Sequence, residues 1–206
     1  MISIGIALIP CVMISFILKE REDSLKHIQL ISGMSLPAYW ISNMLADLIK
    51  VYIPIILMVL ISKIFSVNYK DVWVLFLLLP LALVPFTYIT SFLFKNDTTA
   101  QIITLFLNFF VCAVMGVVVF FLQLVPTTQK LGIFLRWIFC ILPNYCLING
   151  ILWSSSGSLI RATEPSYSAN NWAWSNLGGD AAILVAHFVI DTMILIFIEA
   201  DLLNCL

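Results

Sequence analysis

The chain has 206 residues, 62% of them hydrophobic and 10% charged, with a mean hydropathy of +1.08 and a net charge of −1. A soluble domain carries about a quarter charged residues, so this apolar excess excludes a water-soluble globule and predicts an all-α integral membrane protein. The near-zero net charge gives no footing for nucleic acid or for a polybasic lipid-binding patch.

A spanning helix needs about 20 mostly apolar residues. Five runs meet that or nearly do, at about 2–18, 38–62, 72–94, 99–122 and 181–203. The first has no basic flank and no small-residue cleavage site, so it is not read as a signal peptide. It is slightly short for a span. The expectation is that the chain starts partway into a helix and belongs to something longer; a complete small membrane protein is the other reading.

The segment KEREDSLKHIQLISG, from Lys19 to Gly33, is the one densely charged stretch. Leu25, Ile28 and Ile31 recur every three residues, with Glu22, Asp23, Lys26, His27 and Gln29 at other positions, which predicts a short amphipathic helix over about 20–33, lying along the membrane surface. Acidic Glu20, Glu22 and Asp23 come first and basic Lys26 and His27 later, as the helix dipole prefers. Gly33 is suited to a left-handed stop, and Pro37 to the first turn of the next helix. If this segment is cytoplasmic, the loop at Lys95-Asn96-Asp97 is too, and the Asn96-Asp97-Thr98 sequon stays unmodified. The positive-inside rule supports this orientation weakly, since Lys63, Lys70 and Arg161 then fall outside. On the second helix Asp47 and Lys50, three apart, are expected to pair.

A sixth apolar segment, about 131–153, is interrupted by Arg136, Pro143-Asn144 and Asn149. Broken backbone at membrane depth needs a cover of protein or water. A re-entrant helical hairpin in the outer leaflet suits these residues better than a sixth span, and it brings the last helix back to the cytoplasmic side. The polar stretch 154–179 has turn residues throughout and reads as irregular, with Trp153, Trp172 and Trp174 at its margins. The five cysteines (Cys11, Cys112, Cys140, Cys146 and Cys205) fit no metal-ligand spacing and read as free thiols. Cys140 and Cys146 flank the proline break, so a disulfide between them is the alternative. The last helix carries His187 and Asp191 one turn apart, an intramembrane polar pair that is a functional candidate or a packing device. Its Ala182-x-x-x-Ala186 spacing would allow close helix packing.

Three of these stretches resemble the membrane half of subfamily A ABC transporters, the large lipid exporters. The first carries Glu20, Arg21, Lys26, His27, Gln29, Ser32, Gly33, Tyr39, Trp40, Asn43 and Asp47; the others are PFTYITSFLFKNDTTAQ and ILPNYCLINGI. The resemblance covers nearly the whole chain, from the family's second transmembrane helix to its sixth. It implies that a first helix and an extracellular domain precede Met1 and that a nucleotide-binding domain follows Leu206. The segment 20–33 would be the coupling helix docked on that domain, through Glu20, Arg21, Lys26, His27, Gln29, Ser32 and Gly33. It also implies a second transmembrane half as partner, membrane lipid as substrate, and ATP with magnesium as the cofactors of the missing domain. No GxxxxGK[ST] motif occurs, so the chain itself cannot bind ATP by a P-loop, and neither a cofactor site nor catalytic residues are expected in it. Other readings are another ABC exporter subfamily moving sterols or drugs, and a multi-pass protein without transport activity. A membrane enzyme built on the HxxxD spacing of His187 and Asp191 has no nucleophile or metal-ligand cluster beside it.

Overall fold

The computed structural model describes residues 2–23, 28–29, 31–33, 35–65, 72–163, 172–174 and 176–204. Seven helices dominate them, and no strand occurs among the described residues. They are α1 (Ile2–Glu22), α2 (Leu36–Ile64), α3 (Trp73–Ser91), α4 (Asp97–Leu124), α5 (Gln129–Phe139), α6 (Pro143–Thr163) and α7 (Leu177–Asn204). Among the described residues, four stretches are long and apolar enough to cross a bilayer: Ala38–Ile64 of α2, Trp73–Ser91, Asp97–Leu124, and Leu177–Ile198 of α7. The expected fifth span is α1, a helix of 21 residues with Lys19, Glu20, Arg21 and Glu22 in its last turn. Its length is about 30 Å.

Helix α3 is the axis of the bundle. Of its apolar window 61% is buried, against 17% for α2 and for α7. Leu75, Phe76, Leu79, Leu83 and Tyr88 of α3 pack with Ile6 of α1, Val51 of α2, Tyr145 and Leu147 of α6, and Leu184 of α7. Apolar residues left exposed on α2, such as Ile49, Ile53, Ile56 and Leu60, form the face that lipid or another helix covers.

Residues Asn108–Met115 in the middle of α4 wind as a π-helix, which nothing in the apolar run announces. Such wide turns are uncommon and concentrate where a helix is asked to do something local. Here Asn108 opens the wide turn. Its Nδ2 donates to the Thr104 carbonyl (2.9 Å), and its Oδ1 accepts from Asn144 Nδ2 (2.7 Å) at the start of α6.

After α4 the chain folds back. Gly132 of α5 lies so close to the end of α4 that a Cβ there would stand 2.8 Å from Gln123 Cγ and 3.0 Å from its backbone nitrogen. Only glycine lets the two helices approach this far. Residues 140–142 turn the chain, and α6 starts on Pro143, where the missing N–H costs nothing. The turn meets the middle of the bundle: the Cys140 carbonyl faces His187 Nε2 at 3.1 Å, ten residues into α7. That is about 15 Å from the start of the helix. The helix–turn–helix is longer than the sequence suggests. Residues 154–163, read above as irregular, continue α6 to Thr163. Extending a formed helix adds a hydrogen bond per residue, whereas a serine weakens it by roughly 0.5 kcal/mol and a glycine by about 1. The serines and Gly157 therefore do not stop it. The suggested Cys140–Cys146 disulfide is absent: both thiols are free and buried, and Cys146 Sγ donates to the Cys140 carbonyl at 3.7 Å.

One ion pair fastens this unit. Arg136 of α5 is buried, and its Nη2 donates to Asp180 Oδ1 (2.9 Å) and to the Asn176 carbonyl (2.6 Å). The other carboxylate oxygen of Asp180 accepts from Asn149 Nδ2 of α6 (2.7 Å), and Cys140 Sγ approaches Oδ1 at 3.8 Å. Asp180 is wholly buried in the first turn of α7, where the helix dipole also favours an anion. Three elements thus converge on one carboxylate. Removing one partner leaves an uncompensated buried charge, at about 3–5 kcal/mol, whereas replacing the pair together is often neutral. Arg136→Met and Asp180→Leu should each lower the melting temperature of the detergent-purified protein sharply, and the double variant should recover most of the loss. Additive losses in the double variant would show that the charges do not depend on one another.

Candidate coupling element and intramembrane polar sites

The charged turn between α1 and α2 divides into an anchored and an open part. Glu20 and Arg21 belong to the last turn of α1, not to a separate lateral helix. Arg21 reaches across to the end of α3: its Nη2 donates to Ser91 Oγ (2.9 Å), its Nη1 to the Ser91 carbonyl (3.2 Å), and its guanidinium lies 4.5 Å from the centre of the Phe92 ring. Glu20 accepts from the Tyr39 hydroxyl of α2 (3.0 Å), and Lys19 stands 3.7 Å from Asp97 at the head of α4. These side chains tie four helix ends together.

The open part follows. Lys26 and His27 lie outside the described residues. Around Gln29 a helical turn is present: the Ser32 N–H donates to the Ile28 carbonyl (3.1 Å) and its hydroxyl to the Gln29 carbonyl (2.7 Å). Gly33 ends it in the left-handed region, φ +98°, as its position suggests. Ser35 is extended ahead of the proline-started α2. Ile28 and Ile31 are exposed, Ile31 at 86%. Two exposed isoleucines at helical spacing form a small apolar face beside an anchored base.

Inside the membrane-spanning region, Asp47 of α2 is buried and Lys50 binds its Oδ1 at 2.9 Å, the pairing that the spacing suggests. The other oxygen accepts from the Tyr88 hydroxyl of α3, 41 residues away, a partner that local pattern does not reveal. Trp40 packs edge-on against Tyr88 at 5.4 Å. His187 and Asp191 do meet, with Nδ1 3.0 Å from Oδ2. The Cys140 carbonyl can only accept, so Nε2 is the donor of that contact. The pair sets the imidazole ring against the turn between α5 and α6.

Asp180 was not among the candidate residues, because it falls at the edge of the polar stretch. The signal that could have found it is Arg136, a charge in an apolar run that requires a partner. Its site also brings Cys140 and Cys146 within 4.8 Å of the carboxylate. Both Asp180 oxygens are already taken by Arg136 and Asn149, so the cluster is a hydrogen-bonded lock and not a set of open metal ligands.

Comparison with known proteins agrees with this architecture. Residues 1–198 match the family model described as ABC-2 family transporter protein. The chain is 24% identical over 209 residues to the retinal-specific phospholipid-transporting ATPase ABCA4 of Bos taurus, covering 95% of this chain and 9% of that protein. It is 27% identical over 157 residues to the phospholipid-transporting ATPase ABCA7 of Homo sapiens, covering 72% and 7%. It is 28% identical over 161 residues to the human ATP-binding cassette sub-family A member 2, covering 73% and 7%. The chain therefore spans less than a tenth of the length of these relatives. The match over nearly its whole length, together with the apolar helices, makes this chain a multi-pass membrane domain of the ABC-2 transporter family.

Proposed function

We propose that this chain is one transmembrane half of an ATP-driven transporter that moves phospholipid across or out of the membrane. ATP and magnesium are held by a nucleotide-binding domain outside the chain, and a second transmembrane half completes the assembly. The observation that carries this reading is the charged turn. A bare connecting loop has no use for Arg21 bonded to Ser91 and Glu20 to Tyr39, whereas a handle that transmits force needs a fixed base. The relatives named phospholipid-transporting ATPases supply the substrate class. The exposed apolar faces of the helices suit a substrate that arrives laterally from the bilayer.

In this assembly the turn at 28–33 docks on the nucleotide-binding domain, and α1 is a further span. The α5–α6 unit re-enters the membrane, because its turn packs against Asn108 and the His187 ring in the middle of α4 and α7. Single cysteines at Lys130 and Trp174, in a cysteine-free background, should label with an impermeant reagent from the same side of the membrane. Labelling from opposite sides removes the hairpin.

The docking face gives the second test. Ile28→Asp with Ile31→Asp changes only exposed side chains, so the effect on stability should stay within about 0.5 kcal/mol. In the full transporter, lipid-stimulated ATP hydrolysis and lipid movement should fall together by roughly tenfold or more, the loss expected from an interface hot spot of at least 1.4 kcal/mol. Normal coupling in this variant would reduce the turn to a connector.

A further inference from the structure

Between α1 and α2 lies an open groove of about 410 Å³, within the roughly 300–1,000 Å³ typical of small-molecule sites. Leu8, Val12, Phe16 and Pro54 give it apolar walls, and among the described residues Asp47 and Lys50 are its charged lining. Lys50 is the middle residue of α2, fourteen residues from Leu36 and fourteen from Ile64. That places it about 21 Å from either end of the helix. It is half-exposed, with a side-chain exposure of 55%. An ammonium at that depth is costly unless it has a task. Asp47 takes one of its three N–H donors, and its charge lies 4.4 Å from the centre of the Phe16 ring. Donors remain for an acceptor that enters the groove.

We infer that this groove is a lipid-binding site in which the Asp47–Lys50 pair receives a zwitterionic phospholipid headgroup while an acyl chain lies along α1. The inference rests on the transporter reading above and adds to it a place and a headgroup class. Charge complementarity selects the occupant. The pair is neutral overall. A zwitterion can set its phosphate on Lys50 and its ammonium on Asp47 without adding net charge to the bilayer interior. An anionic headgroup would leave one negative charge uncompensated there. Tyr88 keeps hold of the second Asp47 oxygen, so the carboxylate stays in place when Lys50 shifts its donors to phosphate.

The test uses the full-length protein in detergent micelles, titrated with phosphatidylethanolamine and phosphatidylglycerol that carry the same fluorophore at the end of one acyl chain. Wild type should bind phosphatidylethanolamine about tenfold more tightly than phosphatidylglycerol, a gap of about 1.4 kcal/mol. Lys50→Met should abolish the preference. Lys50→Arg, which keeps the charge and can stack on Phe16, should retain it. Val12→Trp, at an exposed position in the groove wall, should weaken both lipids equally. Equal binding of the two lipids by wild type, or an unchanged preference in Lys50→Met, overturns the headgroup assignment. Unchanged binding in Val12→Trp shows that another helix fills the groove, and overturns the site. ATP-driven movement of phosphatidylethanolamine by wild type in proteoliposomes is measured alongside. Its absence with the binding pattern intact refutes the transporter reading and not the site, and its presence without the pattern refutes the site alone.

Discussion

The Asp180 carboxylate is the constraint on which the α5–α6 unit depends. Cys140 and Asn144 at the turn between α5 and α6 are buried, so the polar groups there need partners within the protein. This chain answers by placing one arginine on α5, one asparagine on α6 and one carboxylate on α7, all within hydrogen-bonding distance. Coulomb attraction between Arg136 and Asp180 alone does not favour burial, because the desolvation of both charges opposes it. The additional bonds to the Asn176 carbonyl and from Asn149 complete the arrangement. They also explain the three-residue turn: Cys140 faces Asp180 with its thiol and His187 with its carbonyl, so the turn is held from two sides.

The same logic sets the π-helical stretch of α4. A regular helix would carry the side chains beyond 108 round a slightly narrower spiral. The wide turn begins at Asn108, which bridges its own helix to Asn144 at the head of α6. Ile148 and Tyr145 of α6 then lie against Gly116 at the far end of the wide turn, where a Cβ would already be 3.2 Å from Ile148. The irregularity of α4 and the break between α5 and α6 are therefore two halves of one contact.

The helices themselves were largely legible, because an apolar run of spanning length admits few other structures and Gly33 and Pro37 punctuate the first turn by local backbone chemistry. The Asp47–Lys50 pair was legible for the same reason, being three residues apart on one helix. What stayed hidden was contact across the sequence. Tyr88 meets Asp47 over 41 positions, Arg21 meets Ser91 over 70, and Arg136 meets Asp180 over 44. None of these partners has a local pattern that distinguishes it from its neighbours. The extension of α6 through four serines was hidden for a different reason: residue preference is weaker than the propagation of a helix already formed.

These long-range contacts join end to end. Arg21, at the base of the charged turn, donates to the Ser91 hydroxyl. That hydroxyl in turn donates to the carbonyl of Tyr88, one turn back on α3, at 2.7 Å. The Tyr88 phenol donates to Asp47, and Asp47 holds Lys50 at the head of the groove. Tyr39, bonded to Glu20, packs on Trp40, which packs on Tyr88, giving a second route of rings beside the first. Both routes pass through α3, the most buried of the spans, which is the least able to yield locally. A displacement of the α1–α2 turn that keeps these bonds is carried to α3 and on to the surroundings of the Lys50 ammonium.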